Sequence, residues 1–273
     1  MTRVRRVTVP PLWRALVDDA ATFPPGDAPL PVALSAFTER RDEWYADLVG
    51  SFVVRDTDLG SVPPELPVAV VLTGGAGNVD GIAELARRRG LTLAGVEAAV
   101  RDPDDPTGAV RRLDAAVRAA ELEVPVHVEL PGPVAPRWLS AADEVAASGF
   151  RLKLRLGHVD HDLIPDAGTV AGWLDAALDR ETPVKGTAGL HRAVRHEPEG
   201  GGAHGFLNVL AATRALLDGR STADAVALLE ERDGAVLAAV ELGTVRQWFT
   251  SFGSCSVTEP RDDLLTLGLL EAP

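Results

Sequence analysis

Phe150-Arg-Leu-Lys-Leu-Arg-Leu156, a helical stretch over Gly168–Arg180, and then Thr182-Pro-Val-Lys-Gly-Thr187 decide the architecture. The first and last segments alternate apolar with charged or polar side chains at the period of two expected of a strand with two unlike faces. The segment between them is Ala/Leu-rich and long enough for three helical turns. A strand, a helix and a second strand in this order form a βα unit, whose two strands run parallel. Outward from this unit the pattern recurs along the chain. Strand candidates are Ala15–Asp19, Ser51–Arg55, Val68–Thr73, Leu91–Ala99, Val124–Leu130 and Phe252–Val257 in addition to Phe150–Leu156 and Thr182–Thr187. Helix candidates are Pro31–Val49, Val79–Arg89, Thr107–Ala120, Ser140–Ala147, Gly168–Arg180, Gly205–Leu217 and Thr222–Glu231. Gly90 and Gly149 stand where helices must stop.

Eight strands with intervening helices in 273 residues predict a (β/α)₈ TIM barrel, an α/β fold of about 250 residues, as a single domain over 1–273. An open doubly wound sheet is the alternative. No Gly-x-Gly-x-x-Gly follows the first strand, and Thr73-Gly-Gly-Ala-Gly-Asn-Val79 lacks both the Rossmann spacing and a P-loop lysine, so it reads as a βα turn.

Composition narrows the partners. Forty acidic against 27 basic residues give a net charge of −13, and the longest basic run is Arg87-Arg88-Arg89, which argues against nucleic acid. Apolar runs such as Val68–Leu72 fall far short of the roughly 20 residues that span a bilayer, and Met1-Thr-Arg-Val-Arg-Arg6 leads into no signal-like apolar core. The expectation is a soluble cytoplasmic protein with no membrane partner, compatible with a homo-oligomer, acting on a small anionic substrate. The single cysteine, Cys255, excludes an internal disulfide.

Lysine occurs only at Lys153 and Lys185; the other 25 basic residues are arginine. Arginine keeps its charge, whereas a desolvated lysine can lose its proton and act as a nucleophile, so positions that refuse arginine are candidates for that chemistry. A site too tight for a guanidinium is the competing reading. Strand alternation turns Lys153 and Arg155 to one face, Lys185 and Thr187 to another strand's equivalent face, and His127 with Glu129 likewise. Glu97 ends the fourth strand, Arg55 the second, and Asp18 and Asp19 the first. Polar groups recurring at the carboxyl ends of strands converge on the barrel mouth, where barrel active sites lie.

Lys153-Leu-Arg-Leu-Gly157 followed by Val184-Lys-Gly-Thr-Ala-Gly-Leu-His191 resembles strands six and seven of deoxyribose-phosphate aldolase and related class I aldolases. Phe252-Gly-Ser-Cys-Ser-Val257 is similar to that family's phosphate-binding strand. The resemblance implies a Schiff-base lyase with Lys153 as the nucleophile and Lys185 as the neighbour that lowers its pKa, Glu97 standing nearest to the family's strand-four aspartate. It covers about the last third of the barrel, and the span from strand seven to strand eight is longer than the family's. Lys185–His191, His204-Gly-Phe-Leu-Asn-Val209 and Phe249–Ser256 also resemble an uncharacterised bacterial protein family, which implies a fold and no activity.

The catalytic candidates are therefore Lys153, Lys185, Glu97 and Glu129, with no cofactor required. Arg155, Arg55, His191, His196, His204, Asn208, Ser254 and Ser256 are candidates for holding the substrate. Two alternatives remain open. His191, His196 and His204 could hold a divalent metal such as zinc for a hydrolase or lyase reaction, with His158 and His161 as further ligands, or the barrel could bind a metabolite without turning it over. Cys255 reads as a packed side chain on an apolar strand; a reactive thiol would need a cation or histidine beside it.

Overall fold

The computed structural model describes residues 8–157, 163–197 and 202–273. The chain forms a closed TIM barrel of eight parallel strands in sequence order, β1 Val17–Asp19, β2 Val49–Arg55, β3 Pro67–Leu72, β4 Thr92–Ala99, β5 Val126–Glu129, β6 Arg151–Arg155, β7 Val184–Thr187 and β8 Phe249–Ser254. β8 closes the cylinder on β1 through the pairs Val17/Phe252, Asp18/Gly253 and Asp19/Ser254. The helices outside are α1 Leu30–Arg40, α2 Val79–Arg89, α3 Pro106–Ala119, α4 Pro136–Ala147, α5 Ala167–Leu178, α6 Phe206–Leu217, α7 Thr222–Glu230, α8 Gly234–Ala238 and α9 Thr258–Thr266. Among the described residues no helix is long and apolar enough to cross a membrane.

The main core lies between the strands and the helices. Leu152 and Leu154 of β6, Phe52 and Val54 of β2 and Phe252 of β8 point outward into it, and Phe252 stacks on Phe206 of α6 with ring centroids 5.0 Å apart. Each such side chain contributes roughly 1.5–3 kcal/mol by leaving water, so the alternate residues of every strand are committed to the helix layer. The other half of each strand faces the barrel axis. Several helix starts are set locally: the Asp105 carboxylate accepts from the Gly108 amide at 2.8 Å, and Ser221 with Asp224 forms a reciprocal capping box on α7.

Two boundaries differ from the sequence expectation in ways that matter for the site. The first helix ends at Arg40 rather than continuing to Val49, because a turn and a short 3₁₀ segment, Ala46–Leu48, carry the chain back under the barrel. The last strand begins at Phe249, three residues earlier than expected, and ends at Ser254. Cys255 and Ser256 thus belong to the loop above the barrel rather than to an apolar strand.

Candidate active site

Parallel pairing sets the site's frame. Lys153 lies opposite Lys185 between β6 and β7, Glu129 opposite Lys153 between β5 and β6, and Lys185 opposite Ser251 between β7 and β8. Because alternate residues face the axis, Lys153, Lys185 and Glu129 all project inward, and Glu97 reaches them from β4. Glu97 bridges the two lysines: its Oε2 is 2.9 Å from Lys153 Nζ and its Oε1 accepts from Lys185 Nζ at 2.6 Å. Lys185 also contacts Asp18 Oδ2 at 2.8 Å, and Lys153 stands 3.4 Å from Glu129 Oε2. Glu129 Oε1 accepts from Arg155 Nε at 2.7 Å. Asp18 is held further by the Ser51 amide at 2.9 Å and by the Ser51 and Ser251 hydroxyls, both at 2.7 Å.

Three carboxylates, Asp18, Glu97 and Glu129, therefore balance two ammonium groups and one guanidinium. Both lysines, Asp18 and Glu97 are buried. Charges so placed persist only when paired, and these pairings set the protonation states. Burial alone would raise the Glu97 pKa, but Lys153 and Lys185 outweigh it and hold the carboxyl well below the usual range. Burial alone would lower that of Lys185, but Asp18 and Glu97 reverse the effect and push it above the ordinary lysine value. Glu129 is likewise lowered, against its own burial, by Lys153 and Arg155. Direct repulsion between two bare ammonium groups, the sequence expectation, is replaced by attraction to a shared carboxylate.

The two lysines differ in access. A cavity of about 1140 Å³ opens at the carboxyl ends of the strands, and Lys153, Glu97 and Arg155 line it. Lys185 lies below, enclosed by Asp18, Glu97 and Ser251. Phe23, Pro24, Val53, Val71 and Leu156 form an apolar part of the wall, and His191, Arg192, Cys255, Ser256 and Glu259 a polar part. Arg55 does not line the cavity; its guanidinium covers the Phe23 ring at 4.5 Å and steadies that wall from behind.

The remaining substrate-binding candidates separate. His191 faces the cavity with Nδ1 3.1 Å from Glu259 Oε2, and Ser256 is at the rim. His196 also reaches the wall, on a bridge pairing it with Ala203. His204 and Asn208 are corrections: both are fully buried and serve the packing of the β7–β8 connection. His204 Nε2 is 2.7 Å from the Pro165 carbonyl, and Asn208 accepts from the Arg195 amide while donating to the Leu228 and Glu231 carbonyls. Ser254 is buried too, 3.5 Å from His191, and lies behind the wall. The proposed metal trio His191, His196 and His204 is not assembled, and among the described residues no three His, Cys, Asp or Glu side chains form a metal-sized cluster. His158 and His161 lie outside the described residues.

Sequence reading did not place Ser51, Ser251 and Glu259 in the site and left Asp18 without a partner. The three residues of β1 are all buried, so no alternation marks which of Asp18 and Asp19 faces inward. Asp19 turns outward to Arg40, at 2.5 Å.

The sequence matches no family model and no curated protein. Among solved structures it is similar to the carboxyl transferase domain of Rhizobium etli pyruvate carboxylase, determined with pyruvate and biocytin, with a TM-score of 0.47 and 10% identity over 88% of this chain, which spans 40% of that chain's length.

Proposed function

We propose that the protein is an enzyme of the class I aldolase type, a lyase that binds a small anionic carbonyl compound as a Schiff base on Lys153. The observation that carries this reading is the unequal placement of the chain's two lysines: one amine opens into the cavity at the catalytic end of the barrel, and the other is locked beneath it by Asp18 and Glu97. Attack on a carbonyl carbon needs the free amine, so Lys153 must give up a proton to a neighbouring carboxylate. Glu97 is closer, at 2.9 Å, but is tied to Lys185 as well; Glu129 Oε2, buried, 3.4 Å from Lys153 and without a hydrogen bond of its own, is the acceptor with spare capacity.

Once an iminium forms, its positive charge occupies the place of the ammonium between Glu97 and Glu129, so the surroundings already suit it. The iminium accepts the electron pair of the breaking C–C bond, and Glu129 relays protons at the nitrogen. Lys185 stays charged, keeps Glu97 ionised and fixes its orientation, which makes it a positioning residue. Arg155, half exposed at the rim, offers a guanidinium to the substrate's anionic group.

Borohydride reduction in the presence of small 2-oxo acids and aldehydes, followed by peptide mass analysis, tests the reading. A reduced adduct on Lys153, absent from Lys153→Arg, is expected. An adduct on neither lysine across a panel of such compounds overturns it.

A further inference from the structure

Cys255 is the only cysteine of the chain, and the reading above does not use it. It lies in the loop between β8 and α9, half-buried, on the wall of the cavity that Lys153 enters. A histidine stands beside it: Sγ is 3.7 Å from both Nδ1 and Nε2 of His191, and Glu259 Oε2 is 3.1 Å from Nδ1. Equal distances put the sulfur over the ring between the two nitrogens, so proton transfer to Nε2 requires the imidazole to turn toward the thiol, with the Glu259 carboxylate stabilising the imidazolium that the transfer creates. Gly26 packs so closely that a Cβ there would sit 2.8 Å from that of Cys255 and 2.8 Å from the Ala21 carbonyl, so the Phe23–Gly26 loop holds the thiol in place.

We propose that Cys255, His191 and Glu259 form a second nucleophilic centre in this cavity, one that adds the thiol to the carbonyl carbon of a small anionic aldehyde. The step is an addition with no leaving group and no change of oxidation state. The Sγ–H proton passes to His191 Nε2, the Sγ–C bond forms, the carbonyl π pair moves to oxygen, and His191 returns the proton to that oxygen to give a hemithioacetal. Burial and the Glu259 charge push the thiol up, so the resting group is the neutral thiol and His191 acts during the attack. The choice of a carbonyl as electrophile rests on the proposed function; the reactivity of the thiol does not.

The probe is glyoxylate labelled with ¹³C at its aldehyde carbon, added to the full-length protein and observed by NMR. A hemithioacetal resonance is expected in the wild type and is absent from Cys255→Ser. Iodoacetamide alkylation of Cys255, followed by intact mass, is expected to slow at least about tenfold in His191→Gln. Glyoxylate is expected to retard alkylation where acetate, of equal charge but with no electrophilic carbon, does not. The proposal is overturned by absence of the resonance, by equal protection from acetate, or by an alkylation rate unchanged in His191→Gln. Borohydride trapping on Lys153 in the same samples reports on the Schiff base separately, so either idea can fail alone.

Discussion

Replacing Glu97 by glutamine keeps the shape of the side chain and removes the charge that both lysines share. In the wild type its two oxygens receive Lys153 at 2.9 Å and Lys185 at 2.6 Å. A glutamine can accept on one side only; its amide nitrogen then faces the other ammonium, donor against donor. Lys185 retains Asp18 at 2.8 Å and Lys153 retains Glu129 at 3.4 Å, so neither is stripped of every partner. Breaking a buried ion pair typically costs 3–5 kcal/mol, and these residual contacts place Glu97→Gln near about 3 kcal/mol. For a chain of this size that corresponds to a fall of roughly 6–12 °C in Tm. Removing Lys185 as well, as Lys185→Met, restores the charge balance. The double variant is therefore expected to lose less than the sum of the single losses by at least about 1 kcal/mol. Equilibrium urea unfolding at pH 7, followed by tryptophan fluorescence and circular dichroism, measures all four corners of this cycle. A loss below about 1 kcal/mol for Glu97→Gln, or strict additivity in the cycle, would refute the shared-carboxylate account.

Three more outcomes follow from the same geometry. His127 sits inside β5 with neither ring nitrogen hydrogen-bonded, and burial followed by the nearby Lys185 charge depresses its pKa from 6.5 to about 3. The unfolded chain takes up this proton first, so the stability that depends on neutral His127 is whole above pH 6.5 and falls as the pH drops toward 3. His127→Leu should leave stability at pH 8 unchanged or higher and flatten the acid limb of a pH-stability profile. Asn208→Ala should cost about 2–3 kcal/mol in urea unfolding, because the Arg195 amide and the Glu231 carbonyl lose their partner and the Leu228 carbonyl keeps only the Glu231 amide, while leaving the trapped adduct on Lys153 unchanged. Gly157→Ala should lower the Tm and slow adduct formation together, since a Cβ there would sit 2.6 Å from Gly189 Cα, where the β6 and β7 loops touch above the site.

Much of the fold was legible before any coordinates because strand alternation and helical period are local properties. The segment around Phe150–Leu156 shows both faces of β6, and the structure sends its leucines to the helices and Lys153 to the axis. Val79–Arg89 is helical over the residues its period predicts, closed by Gly90 in the left-handed region at φ 65°. Arg55, Asn208, His204 and Ser254 went astray for the opposite reason. A polar side chain near a strand end or in a long connection carries no mark of whether it meets substrate, an aromatic ring or a buried carbonyl.

By itself the amino-acid sequence determined the repeating βα units, the parity that turns both lysines inward, and the rarity of lysine that drew notice to them. The tertiary structure alone decided that Glu97, 88 residues from Lys185, would bridge the pair, that Asp18 from the opposite end of the chain would lock one of them, and that His191 would stand beside Cys255. Parity depends on neighbouring residues, whereas these meetings depend on the stagger at which eight strands close. That stagger is settled by packing summed over the whole barrel, and no short stretch of residues encodes it.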